Sequence, residues 1–224
     1  MAKQRHTMKL YLDTANTLEW DELMPLGFFE GITTNPLLAQ KADLNYTEIN
    51  WRDMYSRAFD LGAKELHVQV YGLPKNYVRW AETIYEIAHS IGIDAVIKVP
   101  LVEPALRAFP AIKALGGKTL LTACYDAKQA LIAQSLGANY LAPYLARMRD
   151  LGINDIDQLS TMNQLTLAGP CSILAASIRS VAHLMEIANE GTPCATFSAN
   201  IARELINDPN SVLSWKQFED ALTI

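Results

Sequence analysis

Lys98 stands in the run Ala95-Val96-Ile97-Lys98-Val99-Pro100-Leu101, an amine with aliphatic side chains on both sides. Alternation along a strand separates it from Ile97 and Val99. If those two face a layer of helices, Lys98 and Val96 point into the enclosed space on the other side of the sheet. Burial there disfavours the ammonium form. A neutral lysine amine is a nucleophile towards carbonyl carbon. Working near neutral pH requires its pKa to fall from ~10.4 by about three units. Condensation with a ketone then gives an imine whose protonated form draws electrons out of the neighbouring carbon–carbon bond. The structural alternative for the same residue is a lysine at a strand end, snorkelling to water.

Other apolar runs break in the same way at their C-terminal ends, at Asp13, at Thr33 and Asn35, at Gln69, at Thr122, at Tyr144 with Arg147 just beyond, and at Ser177. Each has a structural reading of its own. Asp13, Thr33 and Asn35 are suited to capping helices or forming turns, Gln69 and Thr122 to bonding backbone within a core, and Ser177 to capping a helix that begins at Arg179. Arg147 reads as a solvated charge at a helix end. His67 shares strand parity with Gln69 and reads as a core histidine with a satisfied hydrogen bond. What favours chemistry is that all the breaks fall at the same end of their strands.

The elements that would bring these residues together are short apolar, β-branched runs, each followed by a segment with helical periodicity, the signature of repeated βα units. The strands are expected near Lys9–Asp13, Gly31–Thr34, Leu66–Val70, Ala95–Val99, Thr119–Thr122, Tyr140–Pro143, Ser172–Ser177 and Cys194–Phe197. Segments such as Trp51–Leu61, Tyr77–Ile91, Ala127–Ser135 and Val181–Ala188 read as outer helices. An open doubly wound sheet usually carries a glycine-rich phosphate loop after its first strand, and Thr14-Ala15-Asn16-Thr17 is not one. The expected fold is therefore a single α/β domain, a (β/α)8 TIM barrel, whose active site would be built on the C-terminal ends of its strands. Residues 1–7 read as an N-terminal extension, residues 8–224 as the barrel, and those after Leu213 as an extra C-terminal helix. Gln40–Tyr46 and Arg149–Ile156 are the segments expected to be most flexible.

The 224 residues suit one sizeable core, with 50% hydrophobic and 19% charged residues and a mean hydropathy of +0.05. The net charge of −5 is spread without a basic block, so no nucleic acid partner is expected. No apolar run approaches the ~20 residues of a bilayer span, and no apolar stretch follows the first charged residues as in a signal peptide. No membrane association and a cytoplasmic location are expected. Cys124, Cys171 and Cys194 lie far apart in apolar surroundings and read as buried, reduced thiols. His6, His67, His89 and His183 are scattered, and no metal site is expected.

Taken in order, Tyr11-Leu12-Asp13-Thr14, Gly31-Ile32-Thr33-Thr34-Asn35-Pro36, Ile97-Lys98-Val99-Pro100, Leu121-Thr122-Ala123-Cys124-Tyr125, Ala142-Pro143-Tyr144 and Ala175-Ala176-Ser177-Ile178-Arg179 span nearly the whole chain from Met8. In these motifs the chain resembles the small transaldolases and fructose-6-phosphate aldolases. The resemblance implies that Lys98 forms the Schiff base and that Asp13 and Asn35 hold substrate hydroxyls, with Thr33 on the same side and Asp13 assisting proton transfer. It implies that Gln69, Thr122 and Tyr144 position a catalytic water, and that Arg147, Ser177 and Arg179 hold the phosphate of a phosphorylated sugar. No metal or organic cofactor is implied. A homo-oligomer is, as a decamer of two pentameric rings in which the last helix reaches a neighbour. Transaldolases tend to carry glutamate and phenylalanine where this chain has Gln69 and Tyr144, which leans the expected activity towards aldol cleavage of fructose 6-phosphate. Transfer of the three-carbon unit to erythrose 4-phosphate is the alternative, and Ile178 is transaldolase-like. Other departures are His67, where an apolar residue is usual, and Ser198, where a proline often follows the last strand. A barrel that only binds sugar phosphates is the competing reading from another class.

Overall fold

Each strand has one face turned to helices and the other turned inwards, so strand parity sorts the hydrophobic residues into two separate cores. The computed structural model describes residues 7–223. Its strands are β1 (Lys9–Asp13), β2 (Phe29–Thr33), β3 (Glu65–Gln69), β4 (Asp94–Pro100), β5 (Lys118–Cys124), β6 (Tyr140–Pro143), β7 (Ser172–Ala175) and β8 (Cys194–Phe197). Neighbours pair in parallel in chain order and β8 closes onto β1, giving the expected barrel. The outward parity, including Leu12, Ile32, Leu66, Ile97, Val99 and Leu121, packs against helix residues such as Trp20, Tyr55, Ile84 and Phe109. The inward parity forms the second cluster, with Tyr11, Val96, Leu120, Tyr140, Leu174 and Ala176 among its members. Lys98 therefore belongs to the inward set, as the alternation around it requires.

β2 and β3 approach each other closely at Gly31. It lies opposite Glu65, and a Cβ there would sit 2.3 Å from the Glu65 carbonyl oxygen. Any side chain at position 31 would push β2 and β3 apart.

Several boundaries differ from those expected. β3 begins at Glu65 and β5 at Lys118, one residue before the apolar runs, and these two charged side chains pair with each other at the N-terminal end of the barrel. The last helix runs from Pro209 to Asp220, with Pro209 in its first turn and Asp208 capping it through the Ser211 N–H, rather than starting after Leu213. It has no buried residue, and Trp215 and Phe218 are exposed. In the segments Gln40–Tyr46 and Arg149–Ile156 most residues are exposed, and one in each is buried. Tyr46 is buried, and buried Asp155 accepts from Arg149 Nε at 2.6 Å and pairs with His183 Nε2 at 2.8 Å. The expected N-terminal extension lies outside the described residues except for Thr7. Among the described residues no helix is long and apolar enough to cross a membrane.

Candidate active site

A cavity of about 350 Å³ opens at the C-terminal ends of the strands. Asp13, Thr33, Asn35, Lys98, Thr122, Tyr144, Arg147, Ser177 and Arg179 line it together. Of the expected site residues, only Gln69 is absent from its walls. Gln69 stands opposite Lys98 in the β3–β4 register, and it is the backbone of Gln69 that is engaged, through Tyr46.

Lys98 is 6% exposed, and its Nζ donates to the Thr34 carbonyl at 2.8 Å. Burial lowers its pKa from the ordinary lysine value, opposed by the negative charge of Asp13. The amine is thus displaced towards the neutral, nucleophilic form. The Asp13 carboxylate is held by the Thr33 hydroxyl, which donates to Oδ1 at 2.6 Å and lies 2.6 Å from the Thr196 hydroxyl. Thr196 also lines the cavity and is a site residue that the sequence reading passed over. Its signal was available, as a polar residue between Ala195 and Phe197 near the end of the eighth apolar run.

On the other side of Lys98, the hydroxyls of Thr122 and Tyr144 are 2.8 Å apart. Burial raises the Tyr144 pKa, so the phenol stays protonated and able to donate. Asn35 does serve as a helix cap, since its Oδ1 accepts from the N–H groups of Leu37 and Leu38. That leaves the amide NH2 as the group it can offer to a ligand.

The cationic end of the cavity is formed by Arg147 and Arg179, both exposed. The Arg147 guanidinium carbon lies 4.6 Å from the Tyr144 ring centroid, and Arg179 pairs with Asp150, with Nη1 donating to Oδ1 at 2.8 Å. Ser177 does not cap the next helix. That helix begins at Val181, with Ser180 accepting from the His183 N–H at 3.1 Å. Ser177 instead adopts φ 58°, a left-handed conformation uncommon for a residue with a side chain, and its carbonyl accepts from the Ala146 N–H at 3.0 Å. The backbone is held in this turn while the side chain stays at the cavity wall.

Beneath the site lies a buried polar cluster that the sequence reading touched only at His67. Glu65 accepts from the hydroxyls of Tyr11 and Tyr140, from His67 Nε2 at 2.9 Å and from Lys118 Nζ at 2.6 Å. Burial alone would raise the carboxyl pKa, but these donors hold it well below the usual range. His67 is fully buried and its pKa is lowered by that burial. Its Nδ1 has no partner, so a second proton there would be stranded, and the ring is neutral with Nε2–H directed to Glu65. Cys124, Cys171 and Cys194 are buried and free, each with its thiol pushed up to about 12 by burial. Among the described residues no three His, Cys, Asp or Glu side chains gather as metal ligands would.

The family model described as Transaldolase/Fructose-6-phosphate aldolase matches residues 10–223. Proteins named as probable transaldolases are similar over most of their length. One from Bartonella henselae is 34% identical over 90% of both chains, and one from Leptospira biflexa is 31% identical over 90% of this chain and 92% of its own. Among solved structures, a thiamine phosphate pyrophosphorylase from Pyrococcus furiosus superposes with a TM-score of 0.57 at 14% identity, over 91% of this chain and 99% of that one. A mandelate oxidase superposes with a TM-score of 0.62 at 12% identity, over 88% and 70%. At such identities these structures speak for the barrel alone.

Proposed function

The chain belongs to the transaldolase/fructose-6-phosphate aldolase family, enzymes of the Schiff-base type, and from that premise we propose that it cleaves fructose 6-phosphate to dihydroxyacetone and glyceraldehyde 3-phosphate on Lys98. The observation that carries the cleavage reading is the Tyr144 phenol, hydrogen-bonded to Thr122 in the wall of the cavity that holds Lys98.

In this reading the neutral Lys98 amine adds to C2 of the ketose, and loss of water leaves an iminium. Asp13, steadied by Thr33, accepts the proton of the C4 hydroxyl. The C3–C4 bond breaks, its electron pair moves into the iminium as an enamine, and glyceraldehyde 3-phosphate departs. Tyr144, with Thr122 and a bound water, delivers a proton to C3 of the enamine. Water then adds to the imine and releases dihydroxyacetone, restoring the amine. Gln69, opposite Lys98 in register, helps to position that water. Arg147 and Arg179 hold the phosphate through charge-assisted hydrogen bonds, with Ser177 beside them, and the Asn35 amide serves a substrate hydroxyl.

A second reading, transfer of the dihydroxyacetone unit to erythrose 4-phosphate, is favoured by the names of the relatives and by Ile178. The two share every step up to the enamine. A coupled assay on fructose 6-phosphate, run with and without erythrose 4-phosphate, separates them. Release of dihydroxyacetone without the acceptor supports cleavage, and dependence on the acceptor supports transfer. The exposed apolar side chains of the Pro209–Asp220 helix are the surface through which we expect copies of the chain to associate, in the cytoplasm.

A further inference from the structure

We propose that Tyr46 is a positioning residue for Lys98, acting through the backbone of Gln69 and Thr34; this rests on reading Lys98 as the residue that forms the imine. β2 and β3 pair in parallel, with Gly31 opposite Glu65, Ile32 opposite Leu66 and Thr33 opposite His67. The Thr34 N–H carries the ladder one rung further, donating to the His67 carbonyl at 2.9 Å. In a regular parallel ladder the next rung would run from the Gln69 N–H to the Thr34 carbonyl. The rung after that would need an N–H at position 36 to serve the Gln69 carbonyl, and position 36 is proline.

Neither rung forms among the described residues. The Tyr46 hydroxyl takes both places, accepting from the Gln69 N–H at 2.8 Å and donating to the Gln69 carbonyl at 2.8 Å. One phenol thus satisfies a donor and an acceptor that the end of β2 leaves unserved. The consequence falls on Thr34. Its carbonyl, released from the ladder, accepts instead from Lys98 Nζ at 2.8 Å. With Tyr46 serving Gln69, Lys98 has no backbone N–H competing with it at that carbonyl.

The phenol can do this because its ring is fixed. Tyr46 is 6% exposed and sits edge-on to Trp51 at 5.1 Å and to Tyr71 at 5.5 Å between centroids. Trp80 packs on both of those rings and closes the aromatic cluster. Burial also raises the Tyr46 pKa, which keeps its proton available for the Gln69 carbonyl. The segment leading to Tyr46 is itself cavity wall, since Leu37, Leu38, Gln40 and Lys41 line the site.

Tyr46→Phe tests the inference, because it keeps the ring and removes the hydroxyl. With the phenol gone, the Gln69 N–H is left without its partner and can turn to the Thr34 carbonyl, where it competes with Lys98 Nζ and shifts the amine. Fructose 6-phosphate mixed with sodium borohydride reports imine formation as adduct on Lys98. We expect the trapping rate and kcat to fall roughly tenfold or more, as misplacement of a reacting group does, while KM changes less than about twofold. Trapping at the natural rate in folded Tyr46→Phe overturns the inference, as does a loss that only tracks the folded fraction. If the natural protein gives no adduct on Lys98, the reading of Lys98 itself fails. Amide exchange on the natural protein does not depend on whether the variant folds. The Gln69 amide should exchange as slowly as those of the neighbouring strands, and exchange at the rate of an exposed loop overturns the hydrogen bond on which the inference stands.

Discussion

The Thr33 hydroxyl donates to Asp13 Oδ1 at 2.6 Å, across two strands paired residue for residue at that point. The bond fixes the carboxylate in the wall of the cavity that contains Lys98, where its charge favours the ammonium form against the burial that disfavours it. In the proposed cycle Asp13 therefore works against the nucleophile before reaction and for the cleavage step after it. The two roles can be separated by pH.

Asp13→Asn should lower the pH at which Lys98 becomes reactive. Burial already depresses the lysine pKa, and removing the charge that raises it depresses it further. The rate of borohydride trapping rises as pH rises through that pKa, so its midpoint should lie lower in the variant. Cleavage should fall about 100-fold or more, because the group proposed to accept the C4 hydroxyl proton is gone. A midpoint that stays put or moves up means that Asp13 does not control the charge of the amine.

Glu65→Gln should cost the fold about 2–3 kcal/mol, lowering the thermal midpoint by roughly 5–10 °C, since a buried carboxylate with charged and neutral donors becomes an amide. The pH dependence carries a definite sign. A carboxyl held below its usual range stabilises the native state at pH above its unfolded value of ~4.3, and that contribution is lost as pH falls through the native value. The gap in stability between natural protein and variant should be widest above about pH 4.3 and should narrow in acid. A constant gap from pH 7 to pH 3 argues against an ionised Glu65.

What was legible in the sequence was whatever strand alternation encodes. Lys98 is inward because Ile97 and Val99 must be outward, and the same logic places Asp13, Thr33 and Thr122 in the cavity wall. Alternation says which way a side chain points and nothing about what it meets across the barrel. Glu65 and Lys118 open their strands as surface-like charges and are recognisable as a pair only once β3, β4 and β5 lie side by side. Ser177 looked like a helix cap because serine often is one, yet the chain turns through a left-handed residue there and gives the cap to Ser180. Tyr46 was illegible for a different reason. Its role depends on a ladder bond that a proline prevents at position 36.

Arg147→Ala should raise KM for fructose 6-phosphate about 10- to 100-fold, the loss of a charge-assisted contact, with little change in the use of free dihydroxyacetone. Asp150→Ala should act in the opposite sense at low phosphate-ester concentration. Asp150 occupies the Arg179 guanidinium in the free protein, and removing it leaves that cation to the substrate. Steady-state kinetics on phosphorylated and unphosphorylated substrates checks both. Equal losses on the two kinds of substrate would make Arg147 structural, and a raised KM in Asp150→Ala would show that the carboxylate orients Arg179 instead of competing for it.

Tyr144→Phe should shift the balance from cleavage towards transfer. In the proposed reaction, the enamine left on Lys98 after glyceraldehyde 3-phosphate departs has two fates, protonation at C3 or addition to an incoming aldehyde. The Tyr144 hydroxyl, 2.8 Å from Thr122, is the donor available for the first, and phenylalanine has no proton to give. Removing it should slow release of dihydroxyacetone by about 100-fold, the usual weight of one positioned acid, and lengthen the life of the enamine. With erythrose 4-phosphate present, the ratio of transfer to release should rise, and further when Gln69→Glu is added. Imine formation precedes the branch, so borohydride trapping on Lys98 should stay within about twofold of the natural rate, which separates this effect from general damage. If the natural protein already transfers efficiently to erythrose 4-phosphate while releasing almost no dihydroxyacetone, Tyr144 is not the proton donor that decides the outcome.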